Sequence, residues 1–373
     1  MKKTLIVVGT RPEAIKLAPL ILALQKDARF TTRVCLSGQH ADLILPIFDF
    51  FGITPDYDLE IMRPNQQLSD ITSKILTDLM PVLDDFCPDF VVVQGDTSTA
   101  FSAALAAFYR KIPILHIEAG LRSPLPLSPY PEEMNRRLIS QLASLHFCPT
   151  EKAKANLIAQ GISEDACIVT GNTAIDALLM ATSKLDTVTP SKFLPDTCKM
   201  LLVTVHRRDS FGEGILSICD AILDISRLFP DIHIVFPLHP NPNVGSIVRS
   251  RLEGISTIHL IPPQDYPSFI YLMMRSVLIL TDSGGIQEEA PSLNRPVIVL
   301  REVTERQEVI DCGAAVLAGF DREKIVEKVS MLLTDQDAYY KMATVSNPYG
   351  DGTATLKIID SLSTTERNSQ YLP

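Results

Sequence analysis

The stretch "LILTDSGGIQEEAP", residues 278–291, decides the fold. An apolar run, Leu278 to Leu280, stops at Thr281-Asp282-Ser283-Gly284-Gly285, and Glu288 and Glu289 follow one helical turn later. Continuous apolar residues without polar alternation read as a strand covered on both faces, which is the mark of a parallel sheet. The hydroxyl and the glycine pair then read as a strand-to-helix turn whose bare amides favour an anion. Glutamates so close by would repel a lone anion but accept hydrogen bonds from hydroxyls. A ligand with both a phosphate and a diol satisfies both features, so the stretch reads as a nucleotide-sugar site. In that reading the amides around Ser283, Gly284 and Gly285 hold a diphosphate, and Glu289 accepts from the ribose hydroxyls. The plainer alternative is a turn capped by Ser283, with both acids favoured by the helix dipole.

Runs of the same kind recur along the chain: "TLIVVGT", "TRVCLSGQ", "DFVVVQGDT", "IPILHIEAG" and "SLHFCPT", then "KMLLVTVHRRD", "IHIVFPLHP", "TIHLIPP", "VLILTDSGG", "RPVIVL" and "AAVLAG". Helical patterns separate most of them. Two such series, joined by the polar stretch 182–197, predict two Rossmann-like, doubly wound parallel-sheet domains facing a cleft. The expected boundaries are 1–174 and 175–354, with a C-terminal helix over about 355–373 packing back on the first domain. In such sheets ligands gather beyond the carboxyl ends of the strands. The chemically informative residues fall there: Arg11, Asp96, His116, Glu118, His206, His239, Ser283 and Arg301.

The 373 residues carry 34 basic and 44 acidic side chains, a net charge of −10, which argues against nucleic-acid or membrane-surface binding. Seven scattered cysteines, odd in number and never arranged as CxxC, point to free thiols in a reducing cytoplasm. The start, "MKKTLIVVG", has a charged beginning, but its apolar run stops at Gly9, and no run reaches transmembrane length. There is no HxH or HExxH pattern and no GxGxxG, so neither a metal nor a nicotinamide or flavin is expected.

Several constellations admit two readings. In "GTRPEAIK" Gly9 permits a tight turn, and Arg11 and Lys16 either grip a phosphate at a helix start or are surface charges. Asp96 in "QGDTSTA" is a capping residue or a functional acid. His116 and Glu118 in "HIEAGLRS" alternate along a strand of Ile, Leu and Ala, and an acid there is costly unless paired or used. Glu132 and Glu133 open a helix after a proline-rich loop, either for its dipole or to bring an acid to a substrate. His206 beside Arg207 and Arg208 looks like phosphate chemistry.

Taken together, "GTRPEAIKLAP", "GDTST", "HIEAGLRS", "PEEMNRR", "GNTAIDAL", "HRRDSFG", "LHPNPNV", "TDSGGIQEEAPSL", "TERQE" and "NPYGDG" resemble the bacterial non-hydrolysing UDP-N-acetylglucosamine 2-epimerases over nearly the whole chain. The resemblance implies the GT-B fold, usually a homodimer, with UDP-N-acetylglucosamine and UDP as partners. It implies Asp96, Glu118 and Glu132 as the acid/base group, with His206 near the diphosphate and C1. Arg11, Lys16, Gln264, Phe269, Ser283, Gly285, Glu289 and Arg306 match UDP-binding positions. Gln39, Arg207 and His239 match part of an activating second UDP-N-acetylglucosamine site, although Ala41 and "MRPNQQ" depart from that pattern. The implied reaction is reversible C2 epimerisation through elimination of UDP, supplying N-acetylmannosamine units for surface polysaccharide. Runners-up are a hydrolysing 2-epimerase, a GT-B glycosyltransferase and a non-catalytic UDP-sugar sensor.

Overall fold

A computed structural model of the chain describes every residue except 40, 64, 186–193, 195–196, 207–211, 239–241 and 364–373. The apolar runs are strands: β1 (Lys2–Val8), β2 (Phe30–Leu36), β3 (Tyr57–Asp58), β4 (Phe90–Gln94), β5 (Ile114–Ile117), β6 (Leu145–Cys148), β7 (Cys167–Val169), β8 (Lys199–Thr204), β9 (Ile232–Pro237), β10 (Ile258–Ile261), β11 (Ser276–Thr281), β12 (Val297–Val299) and β13 (Ala315–Leu317). They form two sheets, ordered β3-β2-β1-β4-β5-β6-β7 and β10-β9-β8-β11-β12-β13. Neighbours run parallel, as in β1 with β4 and β8 with β11. β3 and β7, edge strands of two and three residues, have no counterpart among the apolar runs.

Burial on both faces explains why the strands lack alternation. Every residue of β4 is buried, and in β8 all but the first. In the first sheet Leu5, Val7, Val91 and Val93 pack with Ala103 and Ala107 of helix Ser98–Tyr109. In the second, Leu201, Val203, Phe236 and Leu280 pack with Ile218 and Ile222 of helix Glu213–Leu228. Each sheet reverses its winding between its first and fourth strands, β1/β4 and β8/β11, and such switch points open a crevice at the strand ends.

The chain divides into two compact units, one from Met1–Met180 plus the segment beginning at Tyr349, the other Ala181–Pro348. The chain thus crosses between the units at 180/181 and again at 348/349. Helix Thr173–Leu185 holds the first unit beyond residue 174. On the return, the Asn172 N–H donates to the Tyr349 carbonyl (2.7 Å), and the Asp176 carboxylate accepts from the N–H groups of Ala354 (3.3 Å) and Thr355 (2.8 Å). Those last two bonds satisfy the start of helix Ala354–Ser363. No described helix is long and apolar enough to cross a membrane.

Candidate active site

In the first unit, the loops after β1, β4 and β5 bring a set of ionisable groups together. β5 stops at Ile117, and Glu118 adopts a left-handed backbone (φ +62°), so it leaves the strand's alternation and parts from His116. Its carboxylate accepts from Lys16 Nζ (2.5 Å), from Asn172 Nδ2 (3.1 Å) and from the Gln94 amide. Three donors on two oxygens leave it as an acceptor-only carboxylate. Lys16 is thus paired with Glu118, while Arg11 is the first residue of helix Arg11–Lys26.

Asp96 does not cap the helix that follows. That task falls to Thr97, whose Oγ accepts from the Ala100 N–H (3.0 Å). Asp96 instead takes Arg136 Nη2 at 2.5 Å, while Asn135 Nδ2 donates to its carbonyl (2.9 Å). Burial raises the proton affinity of Asp96, the Arg136 charge opposes that rise, and the charges of Glu118 and Glu132 add to it. Asp96 therefore feels the charges of both Glu118 and Glu132. The adjacent Glu133 has a different duty: fully buried, it accepts from the Ser123 N–H (2.8 Å) and Arg137 Nε (2.7 Å) and fixes the proline-rich loop.

His116 is a structural residue. It is wholly buried, its Nε2 lies 2.8 Å from the Gly95 carbonyl, and burial lowers its pKa to about 4, so it is neutral near pH 7. Gly9 is needed for space rather than for a turn, since a Cβ there would collide with the Thr99 side chain. The Gly9 N–H donates to Glu13 Oε2 (3.2 Å), and Thr97 Oγ donates to Glu13 Oε1 (2.8 Å). Burial pushes Glu13 up to about 7 against those hydrogen bonds. A carboxyl raised in the folded state binds its proton more tightly than in the unfolded chain, so stability falls as pH rises from its usual range near 4.5 to about 7. Across that window the loss should approach about 3 kcal/mol. Denaturant unfolding between pH 5 and 8 should show the decline in the native protein and a flatter profile in Glu13→Gln. Parallel profiles would contradict it.

In the second unit, β8 and β11 end side by side, with Thr204 paired to Thr281. Buried Asp282 follows β11, and its carboxylate reaches His206 twice: Oδ2 accepts the His206 backbone N–H (2.9 Å) and Oδ1 lies 2.9 Å from Nδ1. The ring is thereby fixed with Nε2 away from the aspartate, while the side chain stays 41% exposed. Ser283 occupies the N-cap position of helix Gly284–Glu289, yet its hydroxyl makes no cap hydrogen bond. A Cβ at Gly284 would sit 3.0 Å from the Arg306 guanidinium, whereas Gly285 faces open space. Arg306 Nε donates to buried Glu288 (2.8 Å), and Arg301 pairs with Glu305 (2.7 Å). Burial would raise Glu305, but the Arg301 hydrogen bonds prevail and hold it down at about 2.

The remaining candidates are placed as follows. Glu289 is half-buried one turn into that helix. Phe269, half-buried in helix Tyr266–Arg275, is outside the fully buried core, and Gln264 Nε2 donates to the Pro262 carbonyl (2.7 Å) just before that helix. Gln39 accepts from Thr99 Oγ1 (3.0 Å) and lines a cavity of about 500 Å³ with Asp42, Asp58 and Glu60. Arg207 and His239 lie outside the described residues. Among the described residues no cluster of His, Cys, Asp and Glu could hold a metal ion.

The model for the UDP-N-acetylglucosamine 2-epimerase family matches residues 22–363. The chain belongs to that family. It is 50% identical to the UDP-N-acetylglucosamine 2-epimerase of Yersinia pestis over 368 residues, 96% of this chain and 98% of that one. The crystal structure of the Neisseria meningitidis UDP-GlcNAc 2-epimerase bound to UDP-GlcNAc superposes with a TM-score of 0.90 at 48% identity, covering 97% and 99% of the two chains. The Methanocaldococcus jannaschii UDP-GlcNAc 2-epimerase, in complex with UDP-GlcNAc and UDP, gives 0.80 at 35% identity over 97% and 99%. With these neighbours the two parallel sheets constitute a GT-B fold.

Against this 2-epimerase family background, the partners Asp282, Gln94, Asn172 and Arg136 stand out as residues the sequence reading did not single out. Asp282 had a visible signal: it directly follows β11, much as Asp96 comes two residues after β4, each at the switch point of its sheet. The other three act through contacts that span 24, 54 and 40 residues, for which no local pattern exists.

Proposed function

We propose that the protein interconverts UDP-N-acetylglucosamine and UDP-N-acetylmannosamine by inverting C2. The supporting observation is the carboxylate group of the first unit: Glu118 held as an acceptor by Lys16, Gln94 and Asn172, beside Asp96 with its raised proton affinity and Glu132. No carbonyl acidifies C2–H in this substrate, so direct deprotonation is unfavourable. Removing that proton while the C1–O bond to UDP breaks gives 2-acetamidoglucal and UDP. A proton then returns to C2 from the opposite face as a UDP oxygen re-adds to C1. The sum is redox-neutral and balances with carboxylates alone as proton carriers. In the second unit, Ser283, Gly284, Gly285 and Arg306 hold the diphosphate, and His206, set by Asp282, stabilises charge on the leaving oxygen. Glu289 takes the ribose hydroxyls, with Gln264 and Phe269 on the uracil side and Arg11 as a further cation.

We place this activity in the cytoplasm, in a homodimer that supplies N-acetylmannosamine units for surface polysaccharide. All seven cysteines are free, which suits a reducing compartment. Proton NMR of the protein with UDP-N-acetylglucosamine in deuterated water tests the reading. Deuterium should enter C2 while a UDP-N-acetylmannosamine signal grows to a steady ratio. Free N-acetylmannosamine and UDP would instead reveal a hydrolysing enzyme, and an unchanged spectrum would sink the epimerase reading.

A further inference from the structure

Asn172, one of the three donors to Glu118, sits within "GNTAIDAL" and is tied to more than that carboxylate. The side chain is buried, 2% exposed, and both of its polar atoms are engaged. Its Oδ1 accepts the Ala174 N–H (3.0 Å), satisfying the first turn of helix Thr173–Leu185, and its Nδ2 donates to Glu118 Oε1 (3.1 Å). Its backbone N–H donates to the Tyr349 carbonyl, where the chain re-enters the first unit. The approach there is close: a Cβ on Gly171 would stand 3.1 Å from that same carbonyl, and Tyr349 is itself 1% exposed.

Glu118 needs such support. A non-glycine residue in the left-handed region lacks the strand's own hydrogen-bond ladder and carries a steric penalty at its Cβ. Its carboxylate direction is then set by its donors. Lys16 and Gln94 come from the β1 and β4 side of the sheet, and Asn172 from the far side, anchored by the returning segment. We infer that Asn172 is a positioning residue for the epimerisation: it fixes the Glu118 carboxylate against C2 of the substrate and ties that orientation to the docked Tyr349 segment. The inference rests on the epimerase reading of the site.

Asn172→Asp and Asn172→Ser test it. Both keep an oxygen that can accept the Ala174 N–H, so the helix cap survives. Both lose the Nδ2 group that reaches Glu118, the serine hydroxyl being held on a shorter side chain, and the aspartate also sets a negative charge against it. A misplaced carboxylate should lower kcat by about 10- to 100-fold with KM for UDP-N-acetylglucosamine nearly unchanged. In Asn172→Asp the introduced carboxylate joins Asp96 as a like charge acting on Glu118, opposite the Lys16 ammonium and with His116 neutral. Like-charge repulsion therefore moves the acidic limb of the kcat profile to higher pH in Asn172→Asp but not in Asn172→Ser. Unaltered kcat in both variants would overturn the inference, as would a loss matched by an equal fall in thermal midpoint in both. Wild-type protein without turnover would mark the failure of the epimerase reading instead.

Discussion

Asp96→Asn and Glu118→Gln should each lower kcat by about 100- to 10,000-fold, the range for loss of a positioned proton carrier. Both substitutions keep size and hydrogen-bonding shape but remove the group that exchanges a proton. UDP should still bind, because the diphosphate contacts proposed above lie in the second unit. Folding should be affected little in Asp96→Asn, whose side chain is partly exposed and retains a carbonyl for Arg136. Glu118→Gln is the harsher change. An amide next to the Lys16, Gln94 and Asn172 donors can present only one acceptor oxygen, so part of the cluster must rotate. Steady-state kinetics, together with calorimetric UDP titration, separates these effects. Wild-type kcat in either variant would refute the assignment of these acids.

Arg306→Ala should weaken UDP binding by about 10- to 100-fold, the worth of a charge-assisted hydrogen bond to a phosphate. It should also destabilise the second unit by about 3 kcal/mol, the cost of breaking a buried ion pair by removing one partner. Glu288 is 1% exposed and has Arg306 Nε at 2.8 Å, so removing the arginine takes a charge-assisted donor from a buried carboxylate. The reverse change, Glu288→Gln, retains an acceptor for Arg306 and should cost less on both counts. Calorimetry of UDP binding and urea unfolding of the full chain measure the two losses. UDP affinity at the wild-type level in Arg306→Ala would remove this residue from the diphosphate site.

The fold was legible because its cause is local. Runs such as Phe90–Gln94 and Lys199–Thr204 are apolar through their middles since both faces are covered, and that pattern survives in a single sequence. Strand ends were legible for the same reason, which located Asp96, His206 and Ser283. What stayed hidden are choices made by distant partners. Nothing near Glu118 announces a left-handed backbone, and nothing near Lys16 points to a residue 102 positions away. Glu132 and Glu133 are chemically identical neighbours, yet one turns inward to Ser123 and Arg137 while the other stays half-buried. The first crossing between the units has no turn residues to mark it, because a helix continues through it.

The discontinuous make-up of the first unit also dictates an order of events at the ribosome. Residues Ala181–Pro348 emerge in one piece, so the second unit can gather its core as soon as it clears the exit tunnel. The unit begun earlier must wait. Asn172 and Asp176 were made long before Tyr349, Ala354 and Thr355, yet their final hydrogen bonds reach across as many as 179 positions. A nascent chain stalled short of Tyr349 therefore presents an acid cluster without its last anchor, and the half that is translated first becomes competent only after residues Tyr349, Ala354 and Thr355 have been added.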